Sequence, residues 1–460
     1  MNTLVVLAII LAVMAIAYQF GTGKARRAQA ATADGRAHSR PVYHGMKLAF
    51  WAGFPAVALF VVWNAFQPNV IDAIVLDSVP SEVAEQMDAV DERNALQRIY
   101  NLSTDFGVAD QAKEWEVEAA ETMKGLRQLG YTLLAGLMAA SALIAFLVLY
   151  PRISPAGRAR NHVERIVRVV LILCSTVAIL TTLGIVLSLL GETIRFFQYI
   201  PAADFFFGTT WNPRFVTVGA EEQGRFGMLP LAVGTFLIAL IALLVAVPIG
   251  LMTAIYLSEY SPGWFRAGAK PVLEVLAGIP TIVYGFFALI TVGPFLQSVG
   301  ALVGLDIRAT SALTAGVVMG IMLIPFISSL SDDIITQVPR SMRDGSLALG
   351  ATRSETITKV VLLAALPGIA GAILLAASRA IGETMIVVLA AGNAPVLTGN
   401  PFEAVSTFTV TIVNQLTGDN DFASPQSLVA FALGLTLFVI TLLLNVAALM
   451  IVRRFREQYE

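Results

Sequence analysis

Residues 360–391 read VVLLAALPGIAGAILLAASRAIGETMIVVLAA, an apolar run with an arginine and a glutamate near its middle. A bilayer crossing needs about 20 apolar residues, so the run predicts a transmembrane helix. Arg379 and Glu383 are four residues apart and would share one face of that helix. Charges inside a span are costly and normally face a protein interior or a water-filled path. The two charges therefore predict a route for an ion across a membrane.

The composition is that of a protein embedded in a membrane. Of the 460 residues, 57% are hydrophobic and 13% are charged, whereas soluble proteins carry about 25% charged residues. We predict an all-α fold, a polytopic membrane helical bundle with about nine transmembrane helices. The runs that predict them are 2–20, 48–66, 129–149, 169–190, 229–257, 271–296, 309–330, 360–391 and 427–452.

Proline and glycine mark special positions within these runs. A proline inside a helix removes one backbone donor and commonly bends the helix. A small-xxx-small pattern, Gly316 to Gly320, predicts close packing against another helix. The four prolines that predict kinks are Pro248, Pro280, Pro325 and Pro367.

Lysine and arginine collect in alternate loops, which predicts an orientation. Residues 21–47 hold six basic residues and one acid, residues 150–168 hold five arginines, and the C-terminal tail holds three more. Residues 392–426 contain no lysine or arginine, and residues 67–124 hold thirteen acids and four bases. The positive-inside rule therefore predicts an N-terminus outside and a C-terminus in the cytoplasm.

Two segments near the N-terminus leave alternatives open. Residues 1–30 contain a stretch similar to a signal-peptide cleavage site, but their basic residues follow the apolar run, which favours an uncleaved anchor. Residues 67–124 form an acidic external insertion in which 82–100 and 114–124 have helical spacing. We interpret this insertion as a solvated helical cap, with a docking surface for an external partner as the alternative.

Several chemical functions lack their sequence signature. The single cysteine, Cys174, excludes an internal disulfide, and the three histidines are scattered in polar segments, which argues against a metal site. The phosphate-binding loop of many ATPases, G-x-x-x-x-G-K-[ST], does not occur. We therefore predict no catalytic residues, no metal or cofactor bound by this chain, and no enzyme activity of its own.

A polar loop, 331–359, separates two of the predicted spans. Small and apolar residues in its centre predict a short helix that could press into a groove on another protein, with Gly350 at its end. An ordinary amphipathic loop helix is the alternative. The residues of the predicted contact are Asp344, Gly345, Ser346, Leu347, Ala348, Leu349, Gly350 and Ala351.

This loop resembles the conserved loop of ABC importer permeases, in which Glu-Ala-Ala precedes a glycine and a later Ile-x-Leu-Pro. Anchored on Gly350, the chain offers an acid and small residues at 344–346 and apolar residues at 360–363, with Leu363 in place of the final proline. Over about residues 165–460 the chain is similar to PstC-type subunits of phosphate importers. The stretches that match are Phe207–Pro213, Pro248–Gly250, Tyr256–Tyr260, Glu274–Phe286, Arg379–Thr384 and Gly392-Asn393.

The resemblance implies a type I ABC importer permease fold in residues 151–460, with about six spans and 331–359 as the coupling loop. Residues 1–150 look like the N-terminal extension of longer members, with about three spans. A multi-pass protein of the bacterial inner membrane is implied. The implied partners are a second permease subunit of PstA type, two copies of an ATPase that uses ATP and Mg²⁺, and an external phosphate-binding protein, with no nucleic acid.

Inorganic phosphate is the cargo that the resemblance implies, with Arg379 and Glu383 on the substrate path. Arginine presents a planar fork that suits anionic oxygens, and Glu383 would neutralise it when no substrate is bound. A fixed ion pair that never meets substrate is the alternative for these two residues. Another oxyanion such as sulfate or molybdate, or a membrane phosphate sensor that reports to a kinase, are the alternative functions.

Overall fold

The computed structural model describes residues 3–31, 37–80, 83, 89–104, 113–213, 224–418 and 425–456. Within these ranges nine helices are long and apolar enough to cross a membrane, which confirms the predicted fold class. They are Val5–Ala30, Pro41–Asp77, Glu114–Leu149, Ala159–Tyr199, Leu229–Tyr260, Thr281–Leu302, Ala312–Gln337, Arg353–Ile381 and Gln426–Arg454. Internal contacts divide the chain into an N-terminal unit, Met1–Ile179, and a C-terminal unit, Leu180–Glu460. The division at residue 150 stays a prediction.

The N-terminal unit is a helical bundle. It contains α1 (Thr3–Ala30), α2 (Pro41–Asp77), α3 (Ala89–Ser103), α4 (Glu114–Leu149) and the first half of α5 (Ala159–Tyr199). α2 packs against both α1 and α4, around a core that includes Phe60 and Leu134. α1 and α2 come close at Gly45, where a Cβ atom would lie 2.7 Å from the Tyr18 carbonyl oxygen.

The acidic segment 67–124 includes continuations of two membrane helices. α2 runs on to Asp77 and α4 already begins at Glu114, so both helices continue beyond the predicted spans 48–66 and 129–149. The apolar runs end earlier than the helices because helix formation continues into polar sequence that is packed by α3. There Arg98 Nε lies 3.0 Å from the buried carboxylate oxygen Glu116 Oε1. Of the predicted helix 82–100, the part from residue 89 onward is helical, and residues 82 and 84–88 lie outside the described ranges.

The C-terminal unit begins with the second half of α5 and contains the rest of the secondary structure. Three five-residue π-helical turns, Tyr256–Tyr260, Ala288–Val292 and Ile357–Val361, follow α7, α9 and α13. The elements are α6 (Ala202–Phe207), β1 (Trp211–Asn212), β2 (Arg225–Phe226), α7 (Leu229–Ile255), α8 (Gly263–Ala277), α9 (Thr281–Phe287), α10 (Gly293–Leu302), α11 (Ala312–Gln337), α12 (Arg340–Ala348), α13 (Arg353–Thr356), α14 (Leu362–Ile381), α15 (Met385–Ala390), α16 (Phe408–Gly418) and α17 (Pro425–Arg456).

The core of this unit is centred on α11, which packs along α7. A Cβ atom on Gly316 would lie 2.6 Å from Ile241 Cβ, and one on Gly320 would lie 2.8 Å from Val245 Cβ. Both distances are far below van der Waals contact, so only glycine lets these helix backbones approach. The predicted packing role of the two glycines is confirmed.

Two predicted spans are each divided by a break. The run 271–296 contains the end of α8, a gap at residues 278–280 and then α9, because Pro280 has no backbone N–H and restricts the residue before it. The run 360–391 contains α14, which ends at Ile381, and the short helix α15, which begins at Met385. The continuous helix predicted over 360–391 is therefore wrong.

A short β-hairpin and an aromatic cluster precede α7. β1 and β2 are antiparallel, with Trp211 opposite Phe226. Phe196 and Phe205 join these rings in one buried cluster, with edge-to-face contacts such as Trp211 to Phe226 at 6.0 Å between centroids. The stretch 207–213 that carries part of the family resemblance thus has a packing role at the entrance to α7.

Candidate translocation and coupling site

Arg379 lies in the last turn of α14, just before the break in the helix. Its guanidinium carbon is 5.5 Å from the centroid of the Phe326 ring, which belongs to α11. Among the described residues no carboxylate lies within ion-pair distance of Arg379, and the residue is exposed in the isolated chain. The arginine charge is therefore available to an anion.

Glu383 lies in the break itself and has its own partners. Its carboxylate Oε1 accepts a hydrogen bond of 3.1 Å from the backbone N–H of Met385, the first residue of α15. A carboxylate at a helix N-terminus is stabilised by the unpaired N–H groups there. The expectation that Glu383 neutralises Arg379 across one helical turn is corrected, because the helix ends between them and Glu383 caps the next helix. Their assignment to the substrate path stays a prediction.

A cluster of neutral polar groups adjoins the same break. Thr409 Oγ1 donates to the Glu383 carbonyl oxygen at 2.9 Å. Asn393 Oδ1 accepts from Asn414 Nδ2 at 2.9 Å and from Ser406 Oγ at 3.3 Å. The resemblance marked Asn393, but sequence reasoning missed the other three, whose only signal is the high density of Thr, Ser and Asn in residues 406–414.

The backbone around Asn393 is unusual. Gly392 and Asn393 both have positive φ, +89° and +50°, a region that favours glycine and tolerates asparagine. A Cβ atom on Gly392 would also lie 2.6 Å from Ala404 Cβ. Both the positive φ angles and the nearby Ala404 side chain therefore favour glycine at position 392. The same stretch of backbone forms a β-bridge between residues 392 and 405.

The predicted coupling loop contains a short helix, α12, between α11 and α13. α12 begins at Arg340, four residues before the predicted contact, and ends at Ala348, so Leu349, Gly350 and Ala351 follow it. Gly350 has φ +87°, and the N–H groups of Gly350 and Ala351 donate to the carbonyl oxygens of Leu347 and Ser346. This is the Schellman arrangement in which glycine ends a helix, so the predicted role of Gly350 as a stop is confirmed.

The surface of this turn is open. No residue of α12 is buried, and Leu349 is 91% exposed. A Cβ atom on Gly345 or Gly350 would meet nothing within 4 Å. An exposed leucine between residues without bulky side chains is suited to insertion into a hydrophobic groove. The contact role of residues 344–351 stays a prediction.

Two arginines attach the loop to the π-helical turn Tyr256–Tyr260. Arg343 Nη2 lies 3.0 Å from Glu259 Oε1 and donates to the Ile335 carbonyl oxygen at 2.7 Å. Arg353 donates to the Glu259 carbonyl oxygen, and its guanidinium lies over the Tyr260 ring. A movement of α12 would therefore pull on the end of α7. The stretch Tyr256–Tyr260 is one of those that carry the family resemblance, but its contacts with Arg343 and Arg353 were not predicted from the sequence.

A second ionic cluster links α8 to the end of α11. The buried carboxylate of Asp332 accepts two hydrogen bonds from Arg266 Nη2, at 2.8 and 2.9 Å, and one from Lys270 Nζ at 3.0 Å. Lys270 also donates to Asp333 at 3.0 Å. The hydrogen bonds to Asp333 and Asp332 raise the pKa of Lys270, so the ammonium stays charged at neutral pH. The stabilisation that the charged Lys270 contributes is therefore fully present below its ordinary pKa of 10.5 and is lost only as the pH rises further.

The prolines are divided between two environments. Pro248, Pro325 and Pro367 lie inside α7, α11 and α14, where the predicted kinks stay predictions. The position of Pro280 is corrected, because it is the N-cap of α9 and not an interior helical residue.

Two protein families match the chain. The family described as "Binding-protein-dependent transport system inner membrane component" matches residues 246–457. The family described as "Phosphate ATP-binding cassette transporter" matches residues 7–181. The two matches lie on either side of the hairpin and together cover most of the chain.

Individual relatives agree with these families. The chain is 32% identical over 278 residues to a "Probable ABC transporter permease protein YqgH" of Bacillus subtilis, covering 60% of this chain and 86% of that protein. It is 35% identical to the "Phosphate transport system permease protein PstC" of Mesorhizobium japonicum, covering 53% of this chain and 76% of that protein. The chain belongs to the PstC-type family of ABC transporter permeases.

Solved ABC transporters also align with this PstC-type permease. A chain of a bacterial alginate ABC transporter, in complex with a pentasaccharide-bound periplasmic protein, aligns with TM-score 0.44 and 16% identity. The alignment covers 65% of the present chain and 99% of the other.

Membership of this family confirms several of the predictions made from the sequence. The recognition of the PstC type is confirmed. Permeases of this family are multi-pass membrane proteins and are not themselves catalytic. ABC permeases work in general with a partner permease, an ATPase and a substrate-binding protein, and the family description names the last of these.

Proposed function

We propose that this chain is the transmembrane permease subunit of an ATP-driven importer of inorganic phosphate. The observation that carries the proposal is the guanidinium of Arg379 at the break after α14, which has no carboxylate partner among the described residues. The phosphate-transport names of the relatives and of the family that matches residues 7–181 support the choice of cargo.

The chemistry of phosphate fits this position. A guanidinium offers up to two parallel N–H donors to the oxygens of an oxyanion and keeps its charge at any physiological pH. The side-chain amides of Asn393 and Asn414 lie beyond the break, and because each amide has two N–H donors they can donate to further oxygens. The phosphate oxygens would thus exchange hydrogen bonds to water for hydrogen bonds to these N–H groups, and no carboxylate would first have to be displaced from Arg379.

Coupling is assigned to residues 344–351 on α12 and the turn that follows it. The exposed Leu349 would enter a groove of an ATPase subunit, present in two copies, which binds ATP and Mg²⁺. The ion pair between Arg343 and Glu259, and the hydrogen bond from Arg353 to the Glu259 carbonyl oxygen, would transmit the movement of α12 to α7. A second permease of PstA type and an external phosphate-binding protein would complete the importer.

The orientation follows from the distribution of positive charge. An N-terminus outside and a C-terminus in the cytoplasm place α12 on the cytoplasmic side of the bacterial inner membrane. They also place residues 392–426, which lack lysine and arginine, on the side of the binding protein.

The test is uptake of radiolabelled phosphate by the reconstituted complex, with sulfate and molybdate as competitors. We expect ATP-dependent uptake that neither competitor reduces, and its loss in Arg379→Gln. The matched control is Arg454→Gln, which removes an exposed arginine from the C-terminal end of α17. Competition by sulfate or molybdate would point to another oxyanion. An assembled complex that takes up no anion would overturn transport and favour the sensor.

A further inference from the structure

Three helix ends of the N-terminal unit meet around one short loop. The first turns of α2, the end of α4 and the start of α5 surround residues 150–158. The loop is tied in place: the N–H of His38 donates to the Pro155 carbonyl oxygen at 3.0 Å, and Lys24 Nζ donates to the Tyr150 carbonyl oxygen at 2.6 Å. At the start of α5, the N–H of Arg160 donates to Ser39 Oγ at 3.2 Å. These hydrogen bonds hold the loop and the three helix ends in fixed positions, and we call this arrangement the scaffold.

The scaffold encloses a small basic cavity of about 60 Å³. Among the described residues its polar lining is made of Lys47, Arg152, Arg158, His44 and His162, none of them acidic. This volume is several times the roughly 10–15 Å³ that one water needs by the same kind of measure. The cavity can therefore hold a group larger than a water molecule.

No acidic residue of the described ranges pairs with the positive charges that line the cavity. Within the described part of the chain, the side chains of Lys47, Arg152 and Arg158 have no carboxylate at ion-pair distance and make no hydrogen bond. The nearby acid on α5, Glu164, is already bound to Arg160 at 2.6 Å. Like charges held this close repel one another, so an entering anion would remove an unfavourable interaction as well as gain new ones.

Close packing holds the loop backbone against a histidine. His44 is only 6% exposed, and a Cβ atom on Gly157 would lie 3.0 Å from its Cε1. Glycine at this position lets the loop backbone reach the imidazole without crowding. The ring is thereby fixed beside the cavity, where an N–H of the imidazole can serve as a donor.

An apolar cavity lies between α1, α2 and α4, two of which also line the basic cavity. It measures about 100 Å³ and its lining includes Val13, Ala52 and Ala142. Ala52 is one helical turn from Leu48, which lines the basic cavity. A basic site at the helix ends above an apolar space has the layout that a phospholipid headgroup and its chain would use.

We propose that the basic cavity binds a phosphate-bearing anion, either the headgroup of an anionic phospholipid or free phosphate. Guanidinium and ammonium groups of Arg152, Arg158 and Lys47 would contact the phosphate oxygens. The site is separate from Arg379, which belongs to the other unit. The proposed binding site can therefore be tested independently of the proposed role of Arg379 in transport.

The test uses the full chain with Arg379→Gln as background, so that the transport path contributes no phosphate binding. Lys47→Gln with Arg152→Gln is compared with Arg26→Gln with Arg27→Gln. The second pair removes two exposed charges near the end of α1, outside the cavity. One arm titrates inorganic phosphate into the protein in phosphatidylcholine nanodiscs at constant ionic strength. The other compares nanodiscs with and without phosphatidylglycerol. Both arms measure the shift in the temperature of thermal unfolding.

We expect the cavity variant to weaken the apparent affinity in one arm by about tenfold, the effect of losing a charge-assisted contact, while the control pair does not. Loss in the phosphatidylglycerol arm identifies a lipid headgroup, and loss in the phosphate arm identifies the free anion. Equal behaviour of the cavity and control pairs in both arms overturns the site. Arg158→Gln alters one exposed side chain and gives the same decision if the double variant does not fold.

Discussion

The charge of Arg379 is held by a weak contact. A cation over an aromatic ring contributes about 0.5–1 kcal/mol at an exposed site, whereas a hydrogen bond to a charged group contributes about 1.5–3 kcal/mol. An anion that accepts two hydrogen bonds from the guanidinium would therefore displace the Phe326 ring with a net gain. A resident carboxylate would have made this exchange costly, and Glu383 is engaged elsewhere.

Exchanging the two charged residues tests this arrangement. In Arg379→Glu with Glu383→Arg, the cation would stand at the N-terminus of α15, where it meets unpaired N–H groups instead of accepting from Met385. We expect phosphate uptake below about a tenth of normal, from loss of a charge-assisted contact, while the subunit still inserts. Near-normal uptake by the exchanged protein would mean that the two residues form only a structural pair. Glu383→Gln, which keeps an acceptor at the helix end, is the matched control and should retain uptake.

Asp332 is the residue on which the α8–α11 link depends. Asp332→Asn leaves Arg266 and Lys270 without their shared buried carboxylate. Breaking a buried ion pair costs several kcal/mol, but both cations are about a third exposed, so we expect about 2 kcal/mol of destabilisation. Thermal unfolding in detergent measures it. The control is Asp333→Asn, an exposed partner of Lys270, for which we expect less than about 1 kcal/mol. Equal losses for the two variants would contradict this account.

At the scale of elements, α12 lies at the surface of the C-terminal unit and not within its core. None of its residues is buried, although the partly buried Met342 packs against the core cluster around Ile369. One end is held by Arg343, and the other is held by a hydrogen bond of 2.9 Å between Ser346 and Thr356 hydroxyls. A helix held by one apolar contact and a few polar ones can follow a partner with little disturbance of the hydrophobic core.

The contact face of this element can be tested at Leu349. Because its side chain is 91% exposed, Leu349→Asp should leave folding and membrane insertion unchanged. Burying a carboxylate in an apolar groove is unfavourable, so we expect loss of ATPase association and of ATP-dependent phosphate uptake. Co-purification of the ATPase and uptake by vesicles measure the two effects. Leu349→Met, which keeps an apolar side chain, should preserve both. Normal association of the Leu349→Asp subunit would remove this face from the coupling contact.

At the scale of the molecule, apolar length predicted the number of spans because a bilayer imposes that length on each helix. The same signal could not reveal the two breaks, since residues 278–280 and 382–384 each lie within a long, mostly apolar run although a helix ends just before each of them. The four-residue spacing of Arg379 and Glu383 was therefore read on a helix that does not continue. The partners of Asp332 and Glu259 were missed because they come from segments more than sixty residues away in the chain.

The two units have separate cores. The buried clusters around Leu323, around Phe408 and around Ile369 consist only of residues beyond 180. The clusters around Leu134 and Met123 consist only of residues before 180. The family that describes the transport component matches residues 246–457, within the C-terminal unit. The cohesion of the C-terminal unit therefore does not depend on the N-terminal helices.

Deletion of residues 1–158 tests this independence. The shortened chain would begin with α5 and keep six of the nine candidate spans, so its C-terminus would remain in the cytoplasm when its new N-terminus also starts there. Because its cores are intact, we expect the shortened subunit to insert, assemble and take up phosphate at a measurable rate. Uptake by vesicles that contain the full importer measures this, and the same deletion with Arg379→Gln is the control that should show none. A shortened subunit that inserts and assembles normally but transports nothing would mean that the N-terminal unit is part of the transport mechanism. In that case the basic cavity, which the deletion also removes, would become the first place to look for the missing contribution.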